Sequence, residues 1–134
     1  MKNYLLDTNI CIYIAKEKPV NVLRRFEQLK IGEVAMSTIT YGELLYGAYK
    51  SHYRERVIKQ LEELSHFIPP LPLPTDVAVH YGKIRNALTQ KGMPIGNNDL
   101  WIAAHALSLD TILVTNNEKE FSRIPNLKIE NWVK

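Results

Sequence analysis

The sequence predicts an α/β sandwich with a mostly parallel central sheet flanked by helices. Three observations lead there. Short apolar runs alternate with longer stretches whose apolar residues recur at helical spacing, the pattern of strand–helix–strand units. The first run, Tyr4-Leu5-Leu6, is continuously apolar, as a strand buried on both faces must be. Three acids, Asp7, Glu43 and Asp99, each stand where an extended or loop segment turns into a helix. In open α/β sheets that position faces the ligand crevice.

Taken in order, Tyr4–Asp7 is the first strand and Thr8–Lys18 a largely apolar helix stopped by Pro19. Val20–Lys30 is an amphipathic helix with Val22 or Leu23, Phe26 and Leu29 inward, and Gly32 breaks it. Val34–Ser37 is a short strand. Thr40 to about Ser51 and Arg54–His66 are helices, the second with Val57, Leu61 and Leu64 on one face. Ile68–Pro74 holds four prolines in seven residues, which suits an edge segment and rules out a central strand. Thr75 caps a helix carrying Val77, Tyr81, Ile84 and Leu88 on one face and ending at Gly92. After a loop over 93–98, Asp99–Leu109 is apolar all round and so buried. Thr111–Thr115 is a strand, Asn117–Phe121 a short helix and Leu127–Ile129 the last strand.

Size and composition fit a single domain over residues 1–134, large enough to bury roughly two-thirds of its unfolded surface. Hydrophobic content of 46% excludes disorder. No apolar stretch reaches the ~18 residues of a membrane span. The start, Met1-Lys2-Asn3-Tyr4, lacks a signal-peptide pattern, so a cytoplasmic location is expected. Cys11 is the sole cysteine, which excludes a disulfide framework and a cysteine-based zinc site. Net charge is +3. That permits a polyanionic partner, and an acidic cluster in such a chain makes sense only if confined to one place.

Each acid also has a plain local reading. Asp7-Thr8-Asn9 are all favoured helix caps. Thr40 and Glu43 fit a capping box, and Asp99 is a first-turn acid that the helix dipole favours. Their company argues for more. The helix after Asp99 is apolar enough to be central, and a carboxylate buried there needs a counter-charge. A hard divalent cation, Mg²⁺ or Mn²⁺, held by oxygen ligands supplies one. Glu120, Asn116 or Asn117 is a candidate fourth group, with Glu118 the more exposed acid. The four histidines share no metal-ligand spacing, and His105 reads as a satisfied core residue. Ser37, Thr38 and Thr115 are strand-end hydroxyls, and Trp101 and Trp132 read as packing residues. No Gly-rich phosphate loop is present.

Four stretches carry a resemblance: Leu5-Leu6-Asp7-Thr8-Asn9, Ser37-Thr38-Ile39-Thr40-Tyr41-Gly42-Glu43-Leu44, the run Pro94 to Ala106 around Asn98-Asp99, and Leu113 to Phe121. In that order and spacing the chain resembles the PIN-domain ribonucleases, and within them the VapC toxins of bacterial toxin–antitoxin pairs. The resemblance implies a PIN-like three-layer sandwich in which Asp7 and Asp99 are the principal metal ligands and Glu43 completes the acidic cluster. Many PIN domains have a fourth acid in the last βα turn. The matching positions here are Asn116 and Asn117, leaving Glu120 as its replacement. The resemblance further implies Mg²⁺- or Mn²⁺-dependent RNA hydrolysis, with initiator tRNA cut in the anticodon stem-loop. It also implies a homodimer, a VapB-type antitoxin, and a toxin–antitoxin complex that binds operator DNA. Lys83, Arg85 and Lys91 would meet the RNA backbone.

Two other readings stay open at the level of sequence. One is a catalytically weak PIN-like module that only binds RNA, supported by the missing fourth acid. The other is a phospho-accepting signalling domain, which needs an acceptor Asp after a middle strand where Ser37-Thr38 stands instead.

Overall fold

Side chains alternate across the first strand, and that alternation organises the molecule. The computed structural model describes residues 3–134; Met1 and Lys2 lie outside the described residues. β1 (Tyr4–Leu6) sends Leu5 to one face and Leu6 to the other, and both are fully buried. β2 (Val34–Ser37) repeats this with Ala35 opposite Val34 and Met36, and β4 (Ile112–Val114) with Leu113 opposite Val114. Two apolar cores result, one on each side of the sheet, with helices covering both.

Five parallel strands stand in the order β3-β2-β1-β4-β5, with β3 at Pro70–Leu71 and β5 at Ile129–Glu130. The proline-rich segment is indeed an edge: Met36 N–H donates to Pro69 O at 3.0 Å, and the outer side needs no donor. One core takes Ile10, Cys11 and Ile14 of α1 (Thr8–Lys16), Val22 of α2 (Val20–Glu27), Leu44 and Ala48 of α3 (Thr38–Tyr49) and Leu61 of α4 (Arg54–Phe67). The other takes Ile84 and Leu88 of α5 (Val77–Gln90), the apolar residues of α6 (Asn97–Leu109) and Phe121 of α7 (Glu118–Phe121). Each fully buried Leu or Ile contributes about 1.5–3 kcal/mol, so the two cores together hold the layers.

Several boundaries differ from the sequence expectation. α1 stops at Lys16, because Glu17 turns left-handed (φ 59°) and hands its amide to Ile14 O. α2 ends at Glu27, three residues early. α3 starts at Thr38 instead of Thr40, capped by the Ser37 hydroxyl accepting from Ile39 N–H at 3.1 Å. Thr75 does not cap α5; that helix begins at Val77 after Asp76, whose carboxylate is engaged by Ser108. α6 begins at Asn97, two residues early. α5 ends in a closed turn in which Met93 N–H reaches Leu88 O and Gly92 N–H reaches Thr89 O, with Gly92 at φ +68°. Among the described residues no helix is long and apolar enough to cross a membrane.

Candidate active site

β1 leads by way of β2 to β3 on one side, while β4 and β5 lie on the other. The strand order therefore reverses between β1 and β4, and the crevice beyond their carboxyl ends is where such sheets bind ligands. Asp7 follows β1 there, its N–H donating to Val114 O at 3.0 Å, and Thr115 follows β4. Ser37 ends the adjacent β2, so all three segments expected at one end of the sheet are found there.

Asp7 caps α1 and stands at the mouth of the crevice. Its Oδ1 accepts from Ile10 N–H at 3.0 Å, yet the side chain is only 6% exposed. Burial pushes its pKa up, opposed by hydrogen bonds from the Thr115 hydroxyl and the Ile10 amide, and the Glu43 charge pushes it further. Thr115 is itself fixed, its Oγ1 accepting from Asn117 N–H at 2.9 Å.

Glu43 is not a capping-box residue. With α3 starting at Thr38, it lies in the second turn, and its carboxylate reaches out to α1 and α6. Thr8 Oγ1 donates to Oε1 at 2.6 Å, and Asn98 Nδ2 donates to Oε2 across a longer 3.4 Å. The sequence marks Thr8 only as a cap and Asn98 only as a loop residue, so neither brace is visible there. A long-range hydrogen bond to a side chain leaves no local pattern.

Asp99 stands in the first turn of α6, half-buried, and its carboxyl is pushed up to about 6. Burial contributes most, followed by the charges of Glu120, Glu43 and Asp7. The charges of Glu120, Glu43 and Asp7 thus all reach Asp99, and among the described residues no salt bridge engages its carboxylate. The first turn of α6 is held from α5. Arg85 donates to the Tyr81 hydroxyl at 2.7 Å, that hydroxyl donates to Asn97 Oδ1, and the Tyr81 ring stacks on Trp101 at 3.8 Å. Of Lys83, Arg85 and Lys91, only Arg85 is tied to the site in this way.

The last turn sorts its candidates. Asn116 is turned toward the chain end, its Oδ1 accepting from Asn131 Nδ2 at 3.1 Å. Asn117 contributes its backbone to Thr115. Glu118 is drawn off to Lys134 at 2.8 Å, whose hydrogen bond and charge hold its carboxyl below the usual range. Glu120 is left as the acid whose charge reaches Asp99. His105 is only half satisfied: Nδ1 shares a 2.9 Å bond with Ser37 Oγ, while buried Nε2 has no partner. Burial lowers its pKa, against the charge of Asp76.

The donor set is all oxygen and strongly anionic, which suits a hard divalent cation. Among the described residues no three acidic, histidine or cysteine side chains are close enough to clasp an ion as they stand. Like charges hold such carboxylates apart, and rotation of partly exposed Asp99 and Glu120 would be needed to close them.

Comparison with known proteins finds relatives over nearly the whole chain. The PIN domain family matches residues 4–127. The ribonuclease VapC1 of Haemophilus influenzae is 46% identical over 132 residues, covering 98% of both chains. The tRNA(fMet)-specific endonuclease VapC of Salmonella typhimurium is 42% identical, covering 98% of this chain and 99% of the relative. The crystal structure of DNA-bound VapBC from Salmonella typhimurium superposes with a TM-score of 0.92 at 42% identity, over 98% of this chain and 99% of that one.

Proposed function

The chain belongs to the PIN-domain family, and we propose on that premise that it is a VapC-type toxin: a metal-dependent endoribonuclease neutralised by a VapB-type antitoxin. The observation that supports this reading most is the raised carboxyl of Asp99. Burial starts it, three further acids add to it, and among the described residues no salt bridge relieves it. Proteins keep such a repulsive cluster where a cation or a reaction needs it.

Asp7, Asp99 and Glu43 are the residues that would hold Mg²⁺ or Mn²⁺. A cation bound there would supply Lewis-acid polarisation of the scissile phosphate and would lower the pKa of water. The chain's own groups do the positioning. Ile10 N–H fixes Asp7, Thr8 and Asn98 fix Glu43, and the Arg85–Tyr81–Asn97 relay steadies the turn that presents Asp99. Glu120 supplies the fourth negative charge that Asn116 and Asn117 lack. Its part in catalysis belongs to this proposal, as do those of Asp7, Glu43 and Asp99.

Among the described residues no histidine pair lies at the crevice, His105 being buried behind Ser37, so an imidazole pair is not what activates the attacking group. Hydrolysis by water leaves 5′-phosphate and 3′-hydroxyl ends. The substrate we assign is initiator tRNA, cut in the unpaired part of the anticodon stem-loop, where bases are accessible. The proposal includes a cytoplasmic homodimer that joins its antitoxin in a complex binding operator DNA.

The purified chain incubated with initiator tRNA and Mg²⁺ should give one discrete cut. Chelator or Asp7→Asn should abolish it while far-UV circular dichroism stays unchanged. Undiminished cleavage by the folded Asp7→Asn protein would remove the acidic crevice from the mechanism.

A further inference from the structure

Beyond the acids, the surface of α3 changes character. Residues 43, 46 and 50 recur at steps of three and four, so Glu43, Tyr46 and Lys50 share one helical face over roughly 10 Å. Tyr46 is 67% exposed and lines an open hollow with Thr8, Gly42, Glu43 and Asn98, so the hollow is continuous with the crevice. Lys50 Nζ stands 4.8 Å from the centre of the Tyr46 ring. In the turn that follows, Arg56 lies 4.6 Å over the ring of Tyr53, itself 64% exposed. Arg54 is braced on Tyr49 O at 2.8 Å and lines a second hollow with Tyr53 and Arg56. No acidic residue occurs between Glu43 and Glu55, and Glu55 is the single acid lining the second hollow.

An exposed aromatic ring offers a flat face on which another ring can stack. Here each is paired with a cation, and the sequence of ring, cation, ring, cation leads away from the acids. Flat rings accept any nucleobase, and the interleaved cations answer the phosphates between bases. A cation already resting on each ring holds it in one orientation, so little freedom is lost on binding.

We propose that this strip, with Tyr46 and Lys50 nearest the crevice and Tyr53, Arg54 and Arg56 beyond, binds the unpaired nucleotides flanking the scissile phosphate. The inference rests on the ribonuclease reading for its orientation and extends it to a sequence-tolerant stacking track. Tyr46 is a substrate-binding residue whose ring meets a base, and Lys50 meets the adjoining phosphate.

The test uses the full chain carrying Asp7→Asn, so that RNA is bound without being cut, and a fluorescent single-stranded 12-nucleotide RNA read by anisotropy. Adding Tyr46→Ala should weaken binding about tenfold, the loss of one stacked base, whereas Tyr46→Phe should keep it. Lys50→Gln should lower the slope of log affinity against log salt by about 0.7. An otherwise identical strand with abasic sugars should bind the Asp7→Asn chain equally weakly with and without Tyr46→Ala. Equal affinity of the Tyr46→Ala and Tyr46 chains for the intact strand overturns the track. So does a change of sedimentation coefficient in Tyr46→Ala, which would give this face to a protein contact. Cleavage by the unsubstituted chain is scored separately. If it cuts while Tyr46→Ala binds normally, the track alone fails; if it never cuts but binding still depends on Tyr46, the track stands and the ribonuclease reading fails.

Discussion

Replacing Asp99 by asparagine should make the protein more stable and inactive. The carboxyl is raised from an ordinary 3.8 to about 6, chiefly by burial and then by Glu120, Glu43 and Asp7. At about 1.4 kcal/mol per tenfold that is roughly 3 kcal/mol for a fully buried group. Asp99 is only half-buried, and solvent screening brings this to about 1.5 kcal/mol. Its sign follows from proton binding. Between pH 3.8 and 6 the folded chain holds a proton that the unfolded chain has released, so stability falls as pH rises through this window. Above about pH 7 the whole cost is present, and below about pH 3.8 it is gone. The side-chain amide of the Asp99→Asn variant carries no charge and escapes it. With chelator present, thermal unfolding at about pH 7.5 should therefore show Asp99→Asn melting about 5 °C above the parent, the gap closing near about pH 4. Comparing the two chains at each pH cancels His105, whose lowered pKa gives a slope of opposite sign. A variant that melts lower than the parent at that alkaline pH would mean that Asp99 is favourably paired, and the repulsive-cluster argument would fail.

Thr8→Val removes the 2.6 Å hydrogen bond to the Glu43 carboxylate; such charge-assisted bonds contribute about 1.5–3 kcal/mol, so kcat for RNA cleavage should drop at least tenfold, with Thr8→Ser restoring it. Glu120→Gln removes the largest single charge acting on Asp99, so the Asp99 carboxyl followed by NMR should titrate below about 6. An unmoved titration would take Glu120 out of the cluster and make Asn116 and Asn117 a true gap in it.

The sheet was legible because its strands alternate or run apolar regardless of partners. The proline-rich edge followed from the missing amides of 69–74 alone. Asp7 was legible too, since a strand-end acid in a parallel sheet has one direction to face. Glu43 was only half so. Thr40 and Glu43 imitate a capping box, but Ser37 captures the Ile39 amide first, and Thr40 is buried inside the helix with its hydroxyl beside Thr8. The last strand starts two residues and ends one residue beyond expectation because its register is set by β4, Leu113 pairing with Ile129 and Val114 with Glu130. The half-satisfied state of His105 depends on what lies above a ring in the folded core, which spacing along the chain does not encode.

The reversal of strand order at β1 and β4 carries a consequence for synthesis. Asp7 and Glu43 are made in the first third of the chain, but Asp99, Thr115 and Glu120 come in its last third, and the central strand lacks one neighbour until residue 114 is free. On the roles proposed for these acids, a nascent chain short of residue 99 holds only half of the cluster, and the crevice is complete only near release.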